Sequence, residues 1–166
     1  MMKITEVKCE LLKMPLPRPM QSGSSSGTKG GPVGHIYMPL AIIQTDNGIT
    51  GTGYGWTLLG GATAIRCVIR DDFTPLLIGE NPLDNERLWT KLNKRLQTVG
   101  RTGVVNEAQA AVDLALWDIK GKAADMPVAQ MLGGFTRQEI RTYNTCAGTE
   151  DIKTTEGQVA SNYGKG

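Results

Sequence analysis

The sequence predicts an α+β fold, a three-stranded antiparallel sheet followed by a bundle of helices. Two apolar runs, Met38 to Thr45 and Ile49 to Trp56, are joined through Asp46-Asn47-Gly48. Asn-Gly between apolar runs signals a β-hairpin, because both residues tolerate positive φ. An alternating segment, Ile4 to Met14, precedes them and supplies the third strand. From Ala62 onward the apolar residues recur at helical spacing instead.

Taken in order, the first strand should end at Pro15, Pro17 and Pro19, since proline withholds a ladder donor. Gln21 to Gly34 is a flexible loop by its Gly and Ser content. It reads either as a plain linker or as a lid. After the hairpin, Ala62, Ile65, Ile69 and Phe73 mark one helical face. Asn81-Pro82 with Asp84 opens a second helix with proline at its first position, buried through Leu88, Leu92 and Leu96. Asn106 with Gln109 has capping-box spacing and starts a third, with Ala108, Ala111, Val112, Ala115, Leu116 and Ile119 on one face. Pro127 starts a short turn that Gly133-Gly134 stops. Ile140 to Cys146 reads as a fourth strand. The polar, glycine-dotted residues 147–166 offer only Ile152, Val159, Ala160 and Tyr163 to a core.

Composition narrows the function. A net charge of +2 without a basic block argues against a nucleic-acid or anionic-membrane partner. No apolar run approaches the ~20 residues of a membrane span, and the N-terminus has no signal-peptide core. Cys9, Cys67 and Cys146 are widely spaced and odd in number, which suits reduced thiols in a cytoplasmic protein.

Individual motifs assemble no active site. Gly51-Thr52-Gly53-Tyr54-Gly55 lies inside a hairpin arm, not between a strand and a helix. It therefore reads as close backbone approach and not as a dinucleotide loop. Gly121-Lys122 lacks the upstream glycine of a phosphate loop. His35 is the only histidine, reads as a solvated side chain, and excludes any paired-histidine metal site. Asp118 and Lys122 have the i, i+4 order of a surface ion pair. Asp113, beside the apolar stripe, reads as the partner of a buried donor.

The run from Asn106 to Lys122, followed by Met126-Pro127-Val128 and Met131-Leu132-Gly133-Gly134, resembles the junction helix of the mandelate racemase and muconate lactonizing group of the enolase superfamily. The hairpin from Thr45 to Gly53 and the approach Leu77 to Pro82 are similar to that family's capping domain. Gly100 to Gly103 and Tyr143-Asn144-Thr145 are similar to its acid-sugar dehydratase branch. The resemblance implies a cap over residues 1–134, with the first strand of a truncated (β/α)7β barrel and a polar tail at 135–166. It implies Mg²⁺ on barrel carboxylates in the parent enzyme, offsetting enediolate charge while a base removes the proton α to a carboxylate.

This chain departs from that pattern. Such a barrel needs about 250 residues, and the lysines and metal carboxylates would follow its first strand. Lys165 sits in Tyr-Gly-Lys-Gly without a Lys-x-Lys pair, so no base is assigned. The expectation is an inactive N-terminal fragment with no catalytic residue, metal or cofactor of its own. Its parent would be a cytoplasmic homo-oligomer acting on a small carboxylate or acid sugar. The family places Tyr54 and Thr145 against substrate. Read alone, Tyr54 is a strand aromatic filling the cap core and Thr145 a strand-end hydrogen bonder. The competing class is a free-standing binding or oligomerisation module made from the cap alone.

Overall fold

The computed structural model describes residues 1–20, 33–57, 60–100 and 102–141. Strands β1 (Ile4–Met20), β2 (Val33–Thr45) and β3 (Thr50–Tyr54) form one antiparallel sheet in the order β1-β2-β3. Alternate residues Val7, Ala41 and Ile43 face the helices and are buried, as a half-covered sheet requires.

The prolines do not end β1, which runs on to Met20. The β2 residues that bond to β3 are the odd-numbered ones, shown by Gly55 N–H donating to the Pro39 carbonyl at 3.0 Å. The even residues therefore bond to β1, and the Met14↔Ile36 pairing turns the nitrogen of Pro15 to the free edge. A proline there costs no ladder bond. Pro17 and Pro19 fall where the register shifts, between Pro15 and Met20. β2 correspondingly starts at Val33, inside what the composition marks as loop; positions 21–32 of that loop lie outside the described residues.

The hairpin turn holds three residues, Asp46 to Gly48, closed by Thr45 N–H on the Ile49 carbonyl at 3.1 Å. Only Gly48 takes positive φ, 86°; Asn47 does not, and its side-chain oxygen accepts from Ile49 N–H at 3.3 Å instead. This is a three-residue hairpin with glycine at the left-handed position, in place of a two-residue Asn-Gly turn.

Helix α1 (Ala62–Cys67) runs through a π-helical stretch, Val68–Phe73, into α2 (Thr74–Leu77). Pro75 accounts for the widened turn: it has no N–H, and its ring would clash with the carbonyl four residues back. The Thr74 hydroxyl donates to the Ile69 carbonyl at 2.8 Å across the widening. Ile65, Ile69, Phe73 and Leu77, spaced by four, are all fully buried. A pure α-helix would rotate such a stripe by about 40° per step. The π stretch holds it in line.

Helix α3 (Asn85–Arg95) starts three residues later than Pro82 suggests. Asn81 builds a turn there: its side chain accepts from Leu83 N–H at 3.2 Å and donates to Asp84 at 3.2 Å. Leu88, Leu92 and Leu96 are buried as the spacing predicts. Helix α4 (Val104–Ala123) begins before Asn106, with Gly103 as its N-cap and no side-chain cap. Gln109, read from sequence as half of a capping box, is buried and donates to the Trp89 carbonyl at 3.0 Å, tying α4 to α3. The stripe from Ala108 to Ile119 is buried as expected. A short α5 (Val128–Met131) follows Pro127, and Gly133 and Gly134 beyond it take positive φ.

The chain divides into two compact units, Met1–Gly133 and Gly134–Gly166. In the first, α1, α2 and α4 pack on the sheet and α3 packs against α4. Ile140 and Arg141 are not in a strand, and the rest of the expected fourth strand lies outside the described residues. Among those described, no helix is long and apolar enough to cross a membrane.

Candidate functional site

The glycine run on β3 is a slot for α4. A Cβ built on Gly51 would strike the Ala115 carbonyl oxygen and lie 2.5 Å from Ile119 Cγ1. On Gly53 it would strike the Ala111 carbonyl and lie 2.5 Å from Ala115 N. On Gly55 it would sit 3.2 Å from the Glu107 carbonyl. Two strand residues advance about 6.6 Å and four helical residues about 6.0 Å, so glycines at every second position meet α4 at every fourth. The strand and helix run antiparallel with their backbones in contact. The GxGxG spacing is structural, as the sequence implies.

This contact fixes what lies at the β3 edge. Thr52 N–H donates to Asp118 Oδ2 at 2.8 Å, and its hydroxyl reaches the same oxygen at 3.3 Å. Lys122 Nζ donates to the Thr50 carbonyl at 2.7 Å and pairs with Asp118 at 2.8 Å. The expected Asp118–Lys122 ion pair is present, and it also clasps the strand. Burial pushes the Asp118 carboxyl up, but the Lys122 and Thr52 hydrogen bonds outweigh it and hold the carboxyl below the usual range.

Tyr54 closes β3 and is 52% exposed, so it does not fill the core. It stands at an open groove of about 560 Å³, lined also by Thr52, Asp113, Leu114, Trp117 and Leu132. Asp113 is half-buried; desolvation raises its pKa, the Glu86 charge adds to this, and a hydrogen bond from Trp117 opposes both. Lys120 lies 5.0 Å over the Trp117 ring. His35 is half-buried and meets Tyr37 edge-on at 5.0 Å, not freely solvated as its loop position suggests. Thr145 lies outside the described residues. A second groove, along α3, is lined by Arg87, Lys91 and Lys94. Its Arg87 and Lys91 are held by Glu80 at 2.6 and 2.5 Å, which leaves it little to offer an anion.

Sequence reasoning missed the apolar side of the Tyr54 groove. Leu114 and Trp117 lie three apart on α4 outside the buried stripe, so its apolar residues extend beyond the one face that meets the core. That pattern itself signals cover on more than one side.

The described residues offer surfaces, not a reacting constellation. Among them no group of three or more His, Cys, Asp or Glu could hold a metal ion. Glu80 and Asp118 are committed to Arg87, Lys91 and Lys122. A Mg²⁺ site does not fit these residues.

Comparison with known proteins places the fold. The chain is 31% identical over 146 residues to the L-talarate/galactarate dehydratase of Salmonella typhimurium, covering 88% of this chain and 36% of that enzyme. It is 34% identical over 144 residues to the D-galactarolactone cycloisomerase of Agrobacterium fabrum, covering 87% and 35%. Among solved structures, the L-talarate dehydratase of a Polaromonas species, complexed with Mg and L-glucarate, superposes with a TM-score of 0.88 at 30% identity. That superposition covers 100% of this chain and 44% of the other. The chain thus spans about a third of the length of the curated relatives it matches. The family model for the mandelate racemase/muconate lactonizing enzyme N-terminal domain matches residues 31–133, and the chain belongs to that family.

Proposed function

We propose that this chain is the capping part of a Mg²⁺-dependent enzyme that removes the proton α to the carboxylate of an acid sugar, as a dehydratase or racemase. The observation that carries the reading is the match across residues 31–133 to the family's N-terminal domain, joined to relatives named as acid-sugar dehydratases and cycloisomerases. Residues 1–134 are the cap, and 135–166 the first barrel strand with its polar tail. The metal and the base belong to polypeptide beyond this chain. The cap's own contribution is closure over substrate, with Tyr54 and Thr145 as contact residues. Support for Tyr54 is its exposure at the end of β3, where a core role would have buried it. The parent works in the cytoplasm as a homo-oligomer, a setting that suits the free thiols of Cys9 and Cys67.

The test is an assay with galactarate and Mg²⁺, following the dehydrated keto acid. The chain alone should give no turnover and no saturable Mg²⁺ heat by calorimetry, while the intact parent turns over an acid sugar. Turnover by the chain alone, or a parent inactive on every acid sugar tried, overturns the reading. In the parent, Tyr54→Ala should raise KM by about tenfold, the value of one lost contact of ~1.4 kcal/mol. An unchanged KM would remove Tyr54 from the substrate contacts.

A further inference from the structure

The register of the sheet continues past the end of β3 and brings a polar row together. On one side of β2, Tyr37 pairs with Lys13 of β1; on the other, an isolated bridge sets it against Thr57. The Thr57 N–H donates to the Tyr37 carbonyl at 3.3 Å. Residues directly opposite one another project to the same face of a sheet. Lys13, Tyr37 and Thr57 therefore line up on the face where Ala41 and Ile43 are buried and the glycines meet α4. His35, two residues further out on β2, braces the Tyr37 ring edge-on at 5.0 Å.

The described residues leave this polarity unused. Thr57 Oγ1 is buried without a hydrogen-bond partner among them, although buried hydroxyls are ordinarily bonded. Lys13 is exposed and takes part in none of the ion pairs among them. Gly53 meets Ala111 and Gly55 meets Glu107, so the same step brings Thr57 level with Gly103, the N-cap of the 20-residue α4. No side chain caps that helix, and the N–H groups of Val105 and Asn106 have no partner among the described residues. Such donors favour an anion. One acceptor stands close by. Glu107 Oε2 lies 3.5 Å from where a Cβ on Gly55 would be, and it too is in no ion pair among the described residues.

We propose that this row holds the far carboxylate of the acid sugar, which makes the parent's substrate a diacid. Lys13 and the Thr57 hydroxyl donate to that carboxylate, and Glu107 accepts from the hydroxyl on the adjacent carbon. The proposal rests on the reading of the chain as a cap over an acid-sugar site. Donors and a lone acceptor side by side match an α-hydroxycarboxylate; a bare anion would meet the Glu107 charge with nothing to offset it. A monoacid ending in a hydroxymethyl group would leave Lys13 without its counter-charge.

The experiment uses the ¹⁵N-labelled 166-residue chain and three probes of equal carbon-chain length: galactarate, galactitol and adipate. Galactarate should shift the Tyr37, Thr57 and Val105 amide resonances saturably in the millimolar range. Galactitol, which has no carboxylate, should not, and adipate, which has no hydroxyls, should bind about tenfold more weakly. Lys13→Met, at an exposed position, should weaken galactarate by about tenfold, and Lys13→Arg should restore most of the loss. Thr57→Val should weaken it similarly without lowering the thermal midpoint, because no internal bond is lost. The site is overturned if galactarate moves none of these amides, or if galactitol or adipate binds as well. It is overturned equally if Thr57→Val lowers the midpoint and leaves affinity unchanged. In the parent, Lys13→Met should raise KM for a diacid by about tenfold and leave KM for a monoacid in place. A parent active on diacids whose KM ignores Lys13→Met sinks this site alone. Galactarate binding by the chain, beside a parent inactive on every acid sugar, sinks the cap reading alone.

Discussion

A methyl group on Gly53 has nowhere to go, because the atoms it meets are helix backbone and not the end of a flexible side chain. Gly53→Ala must push α4 off the sheet, and we expect a loss of about 3 kcal/mol or more in urea unfolding. Gly55→Ala, with 3.2 Å to the nearest atom, should cost about 1 kcal/mol or less. Equal losses would mean the slot is not the reason for the glycines. Titratable groups give a second set of tests. Asp118 has a folded pKa below its unfolded value, so its contribution is present above about pH 4 and is lost as pH falls through the folded value. Asp118→Asn should flatten acid unfolding in that window. Cys9 runs the other way: burial, opposed by Arg66, pushes its thiol up to about 11. Its contribution is complete below the unfolded pKa and is lost as pH rises through the folded one. At pH 8 native Cys9 should alkylate far more slowly than in urea. At this scale the alternating glycines were legible as close approach, but their partner was not. Spacing along a strand says nothing about which helix arrives.

Elements were legible wherever one periodicity dominated. The α4 stripe and the Leu88, Leu92, Leu96 stripe are cases, since burial of one face decides them alone. Boundaries were misread wherever two local rules competed. Pro82 can open a helix, but the Asn81 turn took its place. Pro15 can end a strand, but its nitrogen faces an edge that needs no donor. Asn106 can cap, yet it lies inside a helix that Gly103 already starts. In each case the outcome depended on a neighbour distant in sequence. The edge of β3 offers the element-scale prediction. Asp118→Ala with Lys122→Ala uncovers the Thr50 carbonyl and the Thr52 N–H, completing an edge that a second copy can pair with. The double variant should associate with rising concentration by light scattering, and the unsubstituted chain should do so far less. A double variant that stays monomeric at millimolar concentration would show that the ion pair guards nothing.

For the whole molecule, burial in the first unit is carried by residues between Ile4 and Ile119, all in Met1–Gly133. Deleting residues 138–166 should leave the thermal midpoint within about 2 °C, since the buried core of the described residues lies wholly before Gly133. If the cap unfolds instead, the tail is part of its fold and the free-standing module becomes the better account. The order of the elements and the family were both readable from the sequence. For the substrate side the resemblance offers only two positions, Tyr54 and Thr145, and of these Tyr54 alone lies among the described residues. A site shared between separate stretches of polypeptide leaves few marks on either stretch alone.

The clasp of Asp118 and Lys122 on β3 also bears on the order in which a longer protein is made. A cap at the N-terminus leaves the ribosome first. If it is followed by a barrel the length its relatives imply, it stands folded for on the order of tens of seconds while the remainder is synthesised. Throughout that interval a bare strand edge on crowded polysomes could pair with the neighbouring nascent chain. Two charged side chains already within the cap cover the Thr50 carbonyl and the Thr52 N–H of that edge from the moment α4 forms.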